Sequence, residues 1–163
     1  MLRTTIETLR KVKYRPTGGF CAFYLADPGP AGGFGVFDSD RRAKPALRAL
    51  TDACRPVIVV GEPLPASVGV GEVHEIAIHV VSDLHESLRD GVVSATIHHA
   101  DGTTDVHRWG GDVEADSVAR IALLSVPALQ PGALTVELKL SAFVDDAENG
   151  KITAHSSVKT TVS

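Results

Sequence analysis

Hydrophobic and polar positions follow two different rhythms along this chain. In residues 3–13, Leu2, Ile6 and Leu9 recur at helical spacing, while Arg3, Glu7, Arg10 and Lys11 mark a wet side. The spacing predicts a helix that ends at Pro16-Thr17-Gly18-Gly19. The run Phe20-Cys21-Ala22-Phe23-Tyr24-Leu25-Ala26 does not alternate and predicts a strand buried on both faces, as in parallel sheets covered by helices. Asp27-Pro28-Gly29-Pro30 stops it, and a glycine-rich loop runs on to about Asp40. A second helix is expected from Pro45, with Leu47, Leu50 and Cys54 in register and Pro56 as its stop.

From Val57 the period changes to two. Strands are predicted at 57–60, 72–81, 92–99, 103–109, 118–126, 134–143 and 151–162. In the sixth, Leu134, Val136, Leu138 and Leu140 alternate with Thr135, Glu137, Lys139 and Ser141. Ala100-Asp101-Gly102 between two strand patterns signals a hairpin. Seven short strands over about 100 residues fit an immunoglobulin-like antiparallel β-sandwich without the Cys–Trp–Cys signature of antibody domains. The expected fold is therefore mainly β, a sandwich over 58–163 preceded by a helix-strand-helix segment over 1–57. That segment, with one parallel-type strand, is too small to close a sheet or bury a core alone, and reads as a piece of a larger α/β domain.

Charge sharpens the division. Residues 1–57 hold ten Lys/Arg against five Asp/Glu, a net +5, and residues 58–163 hold six against fifteen, a net −9. All seven histidines lie in the second part and six of the eight aromatic residues in the first. The whole chain, 163 residues with a net charge of −4, gives no reason to expect nucleic acid as a partner. No apolar run approaches the length of a membrane-crossing helix, so no membrane partner is expected. Cys21 and Cys54 are expected to be buried free thiols in a reducing, cytoplasmic compartment.

Lys13-Tyr14-Arg15-Pro16-Thr17-Gly18-Gly19-Phe20, Phe23-Tyr24-Leu25-Ala26-Asp27-Pro28, Asp38-Ser39-Asp40-Arg41-Arg42-Ala43-Lys44-Pro45-Ala46-Leu47 and Cys54-Arg55-Pro56-Val57 together resemble the end of the catalytic barrel of family 2 glycoside hydrolases, β-mannosidase-like members above all. Arg108-Trp109-Gly110-Gly111-Asp112 is a weaker local match in the following domain. The resemblance implies a (β/α)8 barrel whose eighth strand is the 20–26 run and whose last helix is followed by a bracing β-sandwich. It implies a parent activity on β-linked glycosides, β-mannosides among them, by a retaining two-carboxylate mechanism. The family's two glutamates end the fourth and seventh barrel strands, which this chain does not contain, so the resemblance also implies a fragment or separately encoded part that is inactive alone. Its partner would then be the missing N-terminal portion of the barrel, or a second copy through exposed apolar surface.

Phe23 stands where the family has a tryptophan that lines the sugar site, and Tyr24 and Ala26 replace its Gln and Asn. Phe23 is then either barrel core or a sugar-stacking ring. Asp27, at the C-terminal end of the strand, is either a substrate-binding residue or a turn former before Pro28. A two-residue Asp101-Gly102 turn would set His98 opposite Asp105 and put His107 and Trp109 on the same face. His98, Asp105 and His107 would then be within reach of one metal ion, but no fourth ligand follows by spacing, and a solvated strand face is the expectation. Trp109 is expected to serve as a contact surface, for domain packing or for carbohydrate, the latter making the sandwich a binding module on its own. Gly32-Gly33-Phe34-Gly35 opens no helix and has no phosphate-binding lysine. No cofactor and no metal are expected.

Overall fold

The computed structural model describes residues 1–145 and 150–163, and the chain divides into two compact units, Met1–Arg55 and Pro56–Ser163.

The first unit is built on α1 (Leu2–Lys11) and α2 (Pro45–Ala53). Pro45 sits in the first turn of α2, where its missing N–H costs nothing. α1 buries Ile6 and Arg10. The Arg10 guanidinium donates to the Ala53 carbonyl at 2.5 Å and to the Arg55 carbonyl at 2.8 Å, which satisfies open carbonyls at the C-terminal end of α2 and sets a cation at its negative pole. The strand expected over 20–26 does not form. Only single bridges occur between the helices, Lys13 with Thr17, Ala26 with Phe37 and Phe37 with Ala43. Residues Phe20 to Leu25 are exposed, because a strand of this kind needs neighbours on both sides and this unit offers none. Cys21 and Cys54 are free thiols but exposed, contrary to expectation: Cys21 lies in that uncovered run, and Cys54 is the residue that caps α2.

The second unit is a two-sheet sandwich. Its strands are β1 (Val57–Gly61), β2 (Ser67–Val68), β3 (Val73–Ser82), β4 (Leu88–His98), β5 (Thr104–Val113), β6 (Val118–Pro127), β7 (Gly132–Val144) and β8 (Lys151–Val162). One sheet has the order β1-β3-β6 and the other β2-β8-β7-β4-β5. All pairs are antiparallel except β2 with β8. The β4–β5 and β7–β8 hairpins in one sheet, with β3 and β6 paired in the other, give the immunoglobulin-like arrangement.

Alternation explains the core. Leu134, Val136, Leu138, Leu140 and Ala142 of β7 face inward, as do Val93, Ala95 and Ile97 of β4, against Ile76, Ile78 and Val80 of β3 and Leu124 and Val126 of β6. A bulge between Leu88 and Gly91 lets Leu88 also point inward despite its opposite parity. β1 is buried on both faces: Val57 and Val59 join the main core, while Ile58 and Val60 form a second cluster with Val81.

Candidate functional site

Asp27 and Phe23, the residues singled out by resemblance, have different surroundings. Asp27 is buried. Its Oδ1 accepts from the Gly35 backbone N–H at 2.8 Å, and its Oδ2 accepts from Lys44 Nζ at 2.8 Å. Lys44 Nζ also donates to the Gly33 carbonyl at 3.0 Å. The Lys44 ammonium, followed by the Gly35 N–H, holds the Asp27 carboxyl below its ordinary range against the opposing effect of burial. A Cβ at Gly35 would fall 2.6 Å from the Ala26 carbonyl carbon and the Asp27 nitrogen, so the glycine is what lets the loop close on the carboxylate. Both oxygens of Asp27 are thus engaged within its own loop. Phe23 is 76% exposed and meets Tyr24 edge-on, with centroids 4.4 Å apart.

The histidines are placed by the β4–β5 turn, and the turn is one residue longer than Asp-Gly alone suggests. His99 N–H donates to the Thr103 carbonyl at 3.0 Å, leaving Ala100, Asp101 and Gly102 as a three-residue loop. Gly102 takes φ +86°, the left-handed position such loops require. Asp101 Oδ1 accepts from both Thr103 N at 2.9 Å and Thr103 Oγ1 at 2.6 Å. These bonds to Thr103, with one from Gln130, lower the Asp101 carboxyl to about 2.

One extra turn residue shifts the pairing, and a one-residue shift sends each side chain to the other face. His98 pairs with Thr104, and Ile97 pairs with Asp105. The expected set of His98, Asp105 and His107 is therefore not assembled. His98 lies on the outer face, 3.7 Å from Glu137, while Asp105, His107 and Trp109 occupy the row opposite Ile97, Ala95 and Val93. Among the described residues no group of three His, Cys, Asp or Glu side chains is arranged to hold a metal.

In place of that set stands an open groove along the edge of the sandwich. β5 is the edge of the five-stranded sheet and lies beside β6, an edge of the three-stranded one. The space between them, about 370 Å³, is lined by Val73, Ile97, Asp105, His107, Ser125 and Pro127 among others. The His99 ring, with only 2% of its side chain exposed, is hydrogen-bonded through Nε2 to Asp105 Oδ2 at 2.9 Å. The His107 and Trp109 rings lie within 10° of parallel, their centroids 6.0 Å apart, and Trp109 is half-buried against the core. The sequence points to Trp109 but not to His99 or Ser125. The signal for His99 was the length of the turn it closes, while Ser125 belongs to the other sheet and has no sequence neighbour in the site.

No family model matches this chain, and no curated protein does. Solved structures share the sandwich at low similarity. The CARDB domain of the PF1109 protein from Pyrococcus furiosus, solved in complex with di-metal ions, is 19% identical over 66% of this chain and 85% of its own, with a TM-score of 0.44. The C-terminal domain of Wzt is 16% identical over 66% of this chain and 70% of its own, at 0.45. Spo0M, a sporulation control protein from Bacillus subtilis, is 12% identical over 66% of this chain, which spans about half (49%) of its length, at 0.40. No function passes from these three proteins to this chain.

Proposed function

We propose that this chain is a non-catalytic accessory region of a family 2 glycoside hydrolase, β-mannosidase-like, whose first unit completes the catalytic barrel and whose sandwich braces it. The observation that supports this reading is the uncovered apolar run. Residues Phe20 to Ala26 have the composition of a buried strand but form only the single bridge of Ala26 with Phe37, and Phe23, Leu25 (70% exposed) and Phe34 (87%) stand in solvent. Covering those three side chains would remove on the order of 400 Å² of apolar surface, a gross gain of ~10 kcal/mol before the entropy of association is subtracted. The remaining strands of a barrel are a covering that fits the motifs in 13–57.

A retaining glycosidase needs two carboxyl groups about 5 Å apart. Glu7, the one glutamate in residues 1–57, is tied to Arg3 at 2.7 Å on α1, and Asp27 is engaged by Lys44 and Gly35. The purified chain is expected to bind a polarity-sensitive dye and to self-associate in sedimentation, both reduced when Phe23 and Phe34 are changed to Ser. A monodisperse monomer with no dye-accessible apolar surface would contradict the reading.

A further inference from the structure

We propose that the cleft between β5 and β6 binds a neutral saccharide unit. The inference is independent of the family reading, because every residue it uses belongs to the sandwich.

It starts from a departure in the pattern of the core. Positions 105, 107 and 109 of β5 share a face with Ile97, Ala95 and Val93 of β4, all three buried. Fold stability alone favours aliphatic residues on such an inward row. The chain places Asp, His and Trp there instead: Asp105 and His107 stay exposed at the sheet edge, and Trp109 is half-buried against the core. Breaks of this kind between local pattern and fold are expected at functional sites.

The groups are also held in place. The buried His99 ring fixes Asp105 at one oxygen, yet the Asp105 side chain remains 52% exposed and can accept further hydrogen bonds. Side chains fixed by a supporting hydrogen bond pay less ordering entropy when a ligand arrives.

The chemistry selects the ligand. A pyranose has an apolar C–H face and a rim of hydroxyls. The His107 ring, held nearly parallel to the neighbouring Trp109 ring, suits the face together with Val73, Ile97 and Pro127. The Asp105 carboxylate and the Ser125 hydroxyl suit the rim. The groove is open to solvent, and its volume of about 370 Å³ suits one or two sugar units lying along it. Among the described residues no three metal-ligating side chains gather here, and the Asp105 charge repels acidic sugars.

Trp109 is the one tryptophan of the chain and stacks with His107 of the cleft, so its emission responds to a ligand seated there. The full chain is titrated with methyl β-mannoside, β-1,4-mannobiose, cellobiose and glucuronic acid. A saturable change in emission is expected with at least one neutral sugar at millimolar concentration and none with glucuronic acid. Asp105→Asn and His107→Ala should each weaken that response at least tenfold, and Arg108→Ala on the outer face should leave it unchanged. Response to the disaccharides alone would indicate an oligosaccharide as ligand, and response to the monosaccharide a single unit. His107 is exposed, so its variant keeps the test open if Asp105→Asn disturbs the fold. No saturable change up to about 50 mM, weaker than any useful affinity, would overturn the proposal. So would a response that both cleft variants retain.

Discussion

Gly102 decides which side chains enter the cleft, and replacing it is a quantitative test of how the β4–β5 turn sets the register. Its φ of +86° lies in the left-handed region, and a Cβ built there meets no atom within 4 Å. The cost of a side chain is therefore one of backbone conformation alone, with no steric contribution. Alanine should lose about 1 kcal/mol, the usual penalty of an L-residue in that region. Asparagine, which tolerates it, should lose about half as much, and valine, stiffened by its branched Cβ, about 2 kcal/mol. For a unit the size of Pro56–Ser163, 1 kcal/mol corresponds to roughly 4 °C in Tm. Thermal and denaturant unfolding followed through Trp109 emission would give the order Gly, Asn, Ala, Val from most to least stable. Gly91→Ala supplies the contrast: its φ is ordinary, but its Cβ would run into the Gly111 carbonyl oxygen across the β4–β5 pair, so a clash and not a torsion sets the penalty. If asparagine at 102 costs as much as valine, or if none of the three costs more than a few tenths of a kcal/mol, the left-handed requirement and the three-residue turn built on it are wrong.

Other consequences follow from single side chains. Leu138→Ala, at a fully buried position of β7, should lower stability by about 3–4 kcal/mol in denaturant unfolding, through lost transfer energy and the cavity left behind. Asp101 ionises near 2 in the folded chain and near 3.9 when unfolded, so the stability it supplies is complete above about pH 4 and is lost as pH falls towards 2. Asp101→Asn should remove that part of the acid sensitivity in a pH series of melting curves. Asp27→Ala should leave Lys44 only its bond to the Gly33 carbonyl and release the Gly35 N–H, seen as faster amide hydrogen exchange at Gly35 with exchange in β7 unchanged.

The sandwich was legible because its strands obey a simple rule. Leu134 to Leu140 alternate without interruption, and the structure buries those residues and leaves their neighbours outward or partly covered. The N-terminal unit was less legible. An apolar run such as Phe20 to Ala26 encodes a preference for burial without naming the surface that provides it, so the run reads as a strand even where no sheet exists to receive it. Cys54 shares the spacing of Leu47 and Leu50, but helical spacing holds only while the helix lasts, and α2 ends at Ala53. The cleft was hidden for two reasons. Asp101-Gly102 is equally compatible with turns of two and three residues, and the difference inverts the faces of β5. That the inward row of β5 stays open depends on one sheet having five strands and the other three, which no local pattern states.

The most direct measurement of the accessory role is hydrolysis of an aryl β-mannoside by the purified chain alone, and then by the chain mixed with a family 2 barrel polypeptide lacking the region that residues 1–57 resemble. The account predicts no turnover by either polypeptide alone and turnover on mixing that is lost with Phe20→Asp and Phe23→Asp. Turnover by the chain alone, or a barrel polypeptide that neither binds it nor gains activity from it, would contradict the account.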